Sequence, residues 1–118
     1  MRAIRGAITI EEDNKEEVLQ SSKELLEEII KENALAIEEI VSITFSATKD
    51  IKSVYPALAA RKIGLKKTPL LCLQEMDVEN SMEKCIRMMI YVNRDCTLDE
   101  IKHVYLRKAI NLRPDLSV

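Results

Sequence analysis

Arg87 stands inside an apolar run, KCIRMMIYVN, where a fixed positive charge has no place unless an anion answers it. The run alternates with a period of two. Cys85, Arg87, Met89 and Tyr91 fall on one face, Ile86, Met88, Ile90 and Val92 on the other. With both faces largely apolar, the strand reads as buried on both sides. A guanidinium cannot shed its charge there, so it must find an anion or carry a heavy desolvation cost. Arg5 and Arg113 interrupt or end other strand-like segments, and Arg61 lies on a short helical one. Glu75 closes one apolar strand and Tyr105 opens another. Guanidinium forks match carboxylates bidentately, so several converging forks suit a di- or polyanion. Spacing leaves two answers open: Glu75 or Asp77 pairs with one arginine as a structural ion pair, or a ligand brings the counter-charge.

Other chemistries have no material to work with. Gly6 and Gly64 are the only glycines, which leaves neither a Walker loop nor a dinucleotide fingerprint. His103 is the lone histidine, without HExxH or Cys/His ligand spacing, and reads as a surface or packing residue. Cys72 and Cys85 lie in apolar strands as structural thiols. No nucleophile, base and orienter can be assembled. An enzyme built from these residues is expected to use no cofactor, no metal and no covalent intermediate.

The elements that must carry the arginines read as mixed α/β. Residues 2–10 form a first strand. Asn14, with Glu17 three residues on, resembles a capping box that opens a helix running to about residue 33. Residues 40–47 (IVSITFSA) are a second strand and 48–53 a turn. Residues 55–63 form a short helix with Pro56 in its first turn and Gly64 as its stop. A third strand spans 68–74, a polar connection follows, and 84–93 is the strand of Arg87. Thr97 caps a short helix, TLDEIKHV, and 105–112 reads as a last strand ended by Arg113-Pro114.

Length and charge narrow the class. At 118 residues the chain reads as a single domain, 1–118, with 47% apolar residues and no apolar run of transmembrane length. The N-terminus lacks a signal-peptide pattern. Three cysteines without a CxxC pair suit reduced thiols and a cytoplasmic location. The net charge of −2 is uneven: nine acids and three lysines between residues 11 and 32 make an acidic, solvated helix face, and every arginine lies outside that segment. With aromatics at 3%, a small anionic ligand is expected rather than nucleic acid, and no membrane.

Seven segments then occur in order: IRGA (4–7), SAT (46–48), YPALAAR (55–61), CLQEMDV (72–78), KCIR (84–87), HVYL (103–106) and LRPDL (112–116). Together they resemble the monofunctional, trimeric α/β-type chorismate mutases over almost the whole chain. The resemblance implies an α+β fold: a mixed β-sheet with helices packed on one side, in a homotrimeric pseudo-barrel with active sites between subunits. It implies the [3,3] rearrangement of chorismate to prephenate, in phenylalanine and tyrosine biosynthesis. It implies roles as well. Arg87 would meet the ether oxygen and a side-chain carboxylate, and Arg5 would bind a carboxylate and fix the conformer. Tyr105 would donate its hydroxyl to a carboxylate. Glu75 would bond the ring hydroxyl with Cys72 nearby, Tyr55 and Ala57 would wall the ring, and Arg61 and Arg113 would sit at the cleft mouth. Leu58 stands where a lysine often follows the aromatic-Pro-Ala motif, so one peripheral cation is missing. The alternative from another class is a non-catalytic trimer that binds small carboxylates on a related fold.

Overall fold

The computed structural model describes residues 1–112; Arg113, with the 114–118 segment, lies outside the described residues. Five strands form one mixed sheet in the order β3-β2-β4-β1-β5. They are β1 (Arg2–Thr9), β2 (Ile40–Ala47), β3 (Leu70–Gln74), β4 (Cys85–Val92) and β5 (Val104–Leu106). The central strand β4 runs antiparallel to both β1 and β2, while β5 lies parallel to β1 and β3 parallel to β2.

The long helix α1 (Lys15–Glu32) covers one face of the sheet with Val18, Leu25, Leu26 and Ile29. Asn14 caps it by accepting from the Glu17 N–H at 2.8 Å. The expected reciprocal half of a capping box is replaced: the Glu17 carboxylate turns outward and accepts from the N–H groups of Glu11 and Glu12. Gly6 lets the helix approach. A Cβ there would lie 2.5 Å from Ile29 Cδ1, so a side chain would force Ile29 to shift within the tightly packed core. The short helix α2 (Ala57–Lys62) ends at Gly64, whose φ of +113° suits glycine. The Leu65 N–H reaches Ala60 O and the Gly64 N–H reaches Arg61 O, a Schellman closure.

Strand alternation sorts the side chains. Ile4 and Ile8 of β1, Ile43 and Phe45 of β2, and Ile86, Met88, Ile90 and Val92 of β4 form the core under α1. The opposite face carries Ala3, Arg5 and Ala7, then Ser42, Thr44 and Ser46, then Arg87, Met89 and Tyr91. Register fixes this grouping, because Ala7 and Ser46 both pair Arg87 while Arg5 and Thr44 both pair Met89. The sequence suggested that Arg87's strand is buried on both sides. Among the described residues α1 closes the helix side, the other face is covered only at its Ala7–Cys85 end, and the Arg87 side chain keeps 32% of its exposure.

The C-terminal third departs from the pattern-based reading in two places. Residues 97–104 were expected to be a helix, but only a 3-10 turn, Leu98–Glu100, forms. The Asn33 side chain accounts for this. It accepts from the Lys102 N–H at 2.9 Å and donates to Lys102 O at 2.9 Å, taking the backbone groups a helix would have used. The expected strand over 105–112 stops at Leu106. Arg107 adopts φ +55°, and the chain turns into a 3-10 helix, Arg107–Leu112. That turn brings the fully buried Ala109 against Ala7, Cys85 and Tyr105 as a second, small apolar cluster.

Candidate active site

Arg5, Glu75, Arg87 and Tyr105 line one cavity of about 270 Å³ on the face of the sheet away from α1, together with Thr44, Ser46 and Met89. Four separate strands deliver them. Arg5 and Arg87 are diagonal neighbours on β1 and β4, since Arg5 pairs Met89 and Arg87 pairs Ala7. Glu75 follows β3, held by its N–H to Ala47 O at 2.9 Å, which extends the alternation of Leu71 and Leu73 by one step on the same face. Tyr105 pairs Ala7 across the β1–β5 ladder.

Of the two counter-charges left open for Arg87, the protein carboxylate is present at longer range. Glu75 Oε1 lies 3.5 Å from Arg87 Nη1, an ion pair longer than a direct charge-assisted hydrogen bond. The same oxygen accepts from Ser46 Oγ at 2.7 Å, so the carboxylate is shared rather than committed to the guanidinium. Ser46 was not among the candidate residues. Its signal is its position opposite Arg87 on an alternating strand. The Tyr105 hydroxyl is buried and has no hydrogen-bond partner among the described residues. A buried donor left unpaired costs free energy, and a ligand acceptor would remove that cost.

The remaining candidates lie elsewhere in the chain. Tyr55 and Cys72 line a second, larger cavity of about 610 Å³, which shares Ser46 with the first but opens beside the loop over 48–56. Cys72 pairs Phe45 and so points to the helix-covered side, away from Glu75. Burial raises its thiol's pKa, partly offset by the Ala57 backbone N–H. Ala57 begins α2, and Tyr55 projects into solvent at 75% exposure. Arg61, also on α2, is exposed and reaches Lys66 O at 3.5 Å. Cys85, close to Arg87, is no nucleophile: burial pushes its thiol up to about 11. Among the described residues, no group of three His, Cys, Asp or Glu side chains could hold a metal ion, and no helix is long and apolar enough to cross a membrane.

A cavity with two guanidiniums, a shared carboxylate and a phenol has the donors and charge that suit a small polycarboxylate, on an α+β sheet. Residues 1–116 match the family described as chorismate mutase type I. The chain is 50% identical to the chorismate mutase AroH of Bacillus subtilis, covering all of this chain and 94% of that one. It is 44% identical to the chorismate mutase AroH of Thermus thermophilus, with 98% and 96% covered. The solved chorismate mutase from Clostridium thermocellum superposes with a TM-score of 0.90 at 44% identity, covering 92% of this chain and 97% of that one. The chain belongs to the chorismate mutase type I family, and it is an isomerase of that kind.

Proposed function

We propose that this single-domain chain converts chorismate to prephenate in a site that two copies build together within a cytoplasmic homotrimer. The observation that carries the reading is the convergence of Arg5, Glu75, Arg87 and the unpartnered Tyr105 hydroxyl on one cavity. The reaction breaks an ether C–O bond as a C–C bond forms within one molecule, so it needs neither proton transfer nor nucleophile. Its barrier is lowered in two ways. Arg5 and Tyr105 hold the carboxylates of a flexible dianion in the reactive, chair-like conformer. Arg87 meets the negative charge that grows on the ether oxygen, a cation already in position before the bond breaks. Glu75 takes the ring hydroxyl and keeps the arginine pair from repelling itself.

The second half of the site comes from a neighbour. Tyr55, Ala57, Arg61 and Cys72 lie apart from Arg87 within one chain, and from an adjacent copy they would wall the ring and the mouth of the cleft. The family resemblance would add Arg113 to that mouth. The uncovered face supports association: Leu71 and Leu73 on edge strand β3 are 57% and 52% exposed, and Met76 just beyond it is 77% exposed.

Loss of chorismate's ultraviolet absorbance on adding the purified protein tests the activity. Mixing two inactive variants, Arg87→Ala and a Tyr55→Ala/Arg61→Ala double, and refolding them together tests the shared site: activity above either parent is expected. A folded protein that leaves chorismate unchanged overturns the reading. Calorimetric binding of dicarboxylates without turnover would then favour the non-catalytic carboxylate binder.

A further inference from the structure

We propose that His103 and Arg107 are positioning residues that clamp β5 to β1 at its two ends, and through that strand fix Arg5 and Tyr105. The proposal rests on the reading of Arg5 and Tyr105 as substrate ligands. Strand β5 has three residues and, among the described residues, lies at the sheet's edge and pairs only with β1. A ladder that short leaves register weakly fixed, and a slip of one residue would carry the Tyr105 side chain to the other face.

Side chains make up the deficit at each end. Before the strand, His103 Nδ1 accepts the Arg5 backbone N–H at 2.9 Å, adding one rung that the backbone does not supply. After it, Arg107 holds a φ of +55°, a conformation unfavourable for a non-glycine residue that persists where surroundings enforce it. The surroundings are its own guanidinium bonds. Arg107 Nη1 donates to Thr9 O at 3.0 Å and to Ser21 Oγ at 2.9 Å, and Nη2 donates to Glu24 Oε1 at 2.9 Å. Beside it the Lys108 N–H donates to Thr9 Oγ1 at 3.2 Å. The strand's end is thereby tied to β1 and to α1 at once. Neither His103 nor Arg107 lines the Arg87 cavity, so any effect on substrate passes through Arg5 and Tyr105.

Steady-state kinetics on single variants separates the two layers of the argument. Arg5→Ala and Tyr105→Phe test the ligand reading, and each is expected to raise KM about tenfold or more. For the clamp, His103→Leu and Arg107→Gly are expected to raise KM about tenfold, with a smaller fall in kcat of less than about threefold. Glycine is chosen at 107 because it accepts the positive φ, so only the guanidinium is lost. His103→Asn keeps an acceptor near the position of Nδ1 and is expected to hold KM within about twofold of the parent. Should the stronger variants not fold, Ser21→Ala/Glu24→Ala removes two of Arg107's three acceptors and is expected to raise KM about threefold. KM unchanged in folded clamp variants, or His103→Asn no better than His103→Leu, overturns the clamp. KM unchanged in Arg5→Ala and Tyr105→Phe overturns the ligand reading instead.

Discussion

On the helix-covered face of the sheet, Ile4, Ile8, Phe45, Ile86 and Ile90 are fully buried, and the charged groups are elsewhere. On the other face, the Arg87 and Glu75 side chains keep 32% and 26% of their exposure, and small polar residues alternate with exposed leucines. The same strands make both, one residue out of phase. The covered face is apolar throughout and needs no partner beyond α1. The open face holds charge that its own chain only partly satisfies. Holding the part-buried Arg87 at 3.5 Å from a shared carboxylate does little for folding but preorganises a cation for an anion. Variants on the two faces should therefore separate stability from turnover.

Phe45→Ala should do the largest damage, and to stability alone. Deleting a fully buried phenylalanine costs about 3–5 kcal/mol, a large part of a small domain's stability. Denaturant melts check it: the midpoint should fall steeply, while activity per folded molecule at low temperature stays within a small factor. Arg87→Ala should do the reverse. Losing a preorganised cation at the ether oxygen should raise the barrier by about 3–4 kcal/mol, roughly a hundred- to thousandfold in kcat, with the melt little changed. Arg87→Lys should recover little, since the planar fork is lost. An Arg87 variant that melts like Phe45→Ala while keeping turnover would erase the distinction between the faces.

Gly6→Ala sharpens the comparison because β1 serves both faces. The added methyl would meet Ile29 Cδ1 at 2.5 Å and Leu25 Cδ1 at 3.2 Å. Overpacking of this kind costs about 1–3 kcal/mol. Part of the strain should also shift the neighbouring Arg5, so a moderate melt change is expected together with a raised KM. Tyr105→Phe is smaller and opposite in sign. It removes a buried hydroxyl that has no partner among the described residues, so the melting temperature should hold or rise. KM should still increase, because the substrate loses a donor. A clear fall in melting temperature would mean that the hydroxyl already serves the fold.

How far these faces were legible depended on what enforced them. The covered face was readable because burial imposes a period: IVSITFSA and KCIRMMIYVN alternate, and α1 keeps its apolar stripe, so these elements lie within a residue or so of where periodicity puts them. Arg87 was legible as an exception to the same rule. The 97–112 region was not, because single side chains override its pattern. Asn33 takes the backbone of Lys102 from sixty-nine positions away, and Arg107 turns the chain by reaching Thr9, Ser21 and Glu24. Neither contact has a local signal. The grouping of Arg5, Glu75, Arg87 and Tyr105 followed from family motifs and not from spacing, since only sheet order brings β1, β3, β4 and β5 to one cavity. The separation of Cys72 from Glu75 was equally hidden until register fixed their faces.

The smallest effect lies far from both faces, at the pair that seals the end of α1, and it is read by pH. Arg94 donates to both Glu39 oxygens, at 2.7 and 2.8 Å, and to the carbonyls of Asn33 and Ala34. These Arg94 bonds, then the Ala36 N–H, hold the Glu39 carboxyl down from its ordinary 4.5 to about 2. A carboxyl whose pKa is lowered on folding stabilises the fold above its unfolded value and loses that contribution as pH falls through the folded one. The gap in melting temperature between the parent and Glu39→Gln should thus be constant above about pH 4.5 and close progressively toward about pH 2. Turnover between about pH 6 and 9 should ignore this titration, because the rearrangement uses no acid or base. A melting gap that survives undiminished at pH 2 would show that Glu39 matters through packing and not through its charge.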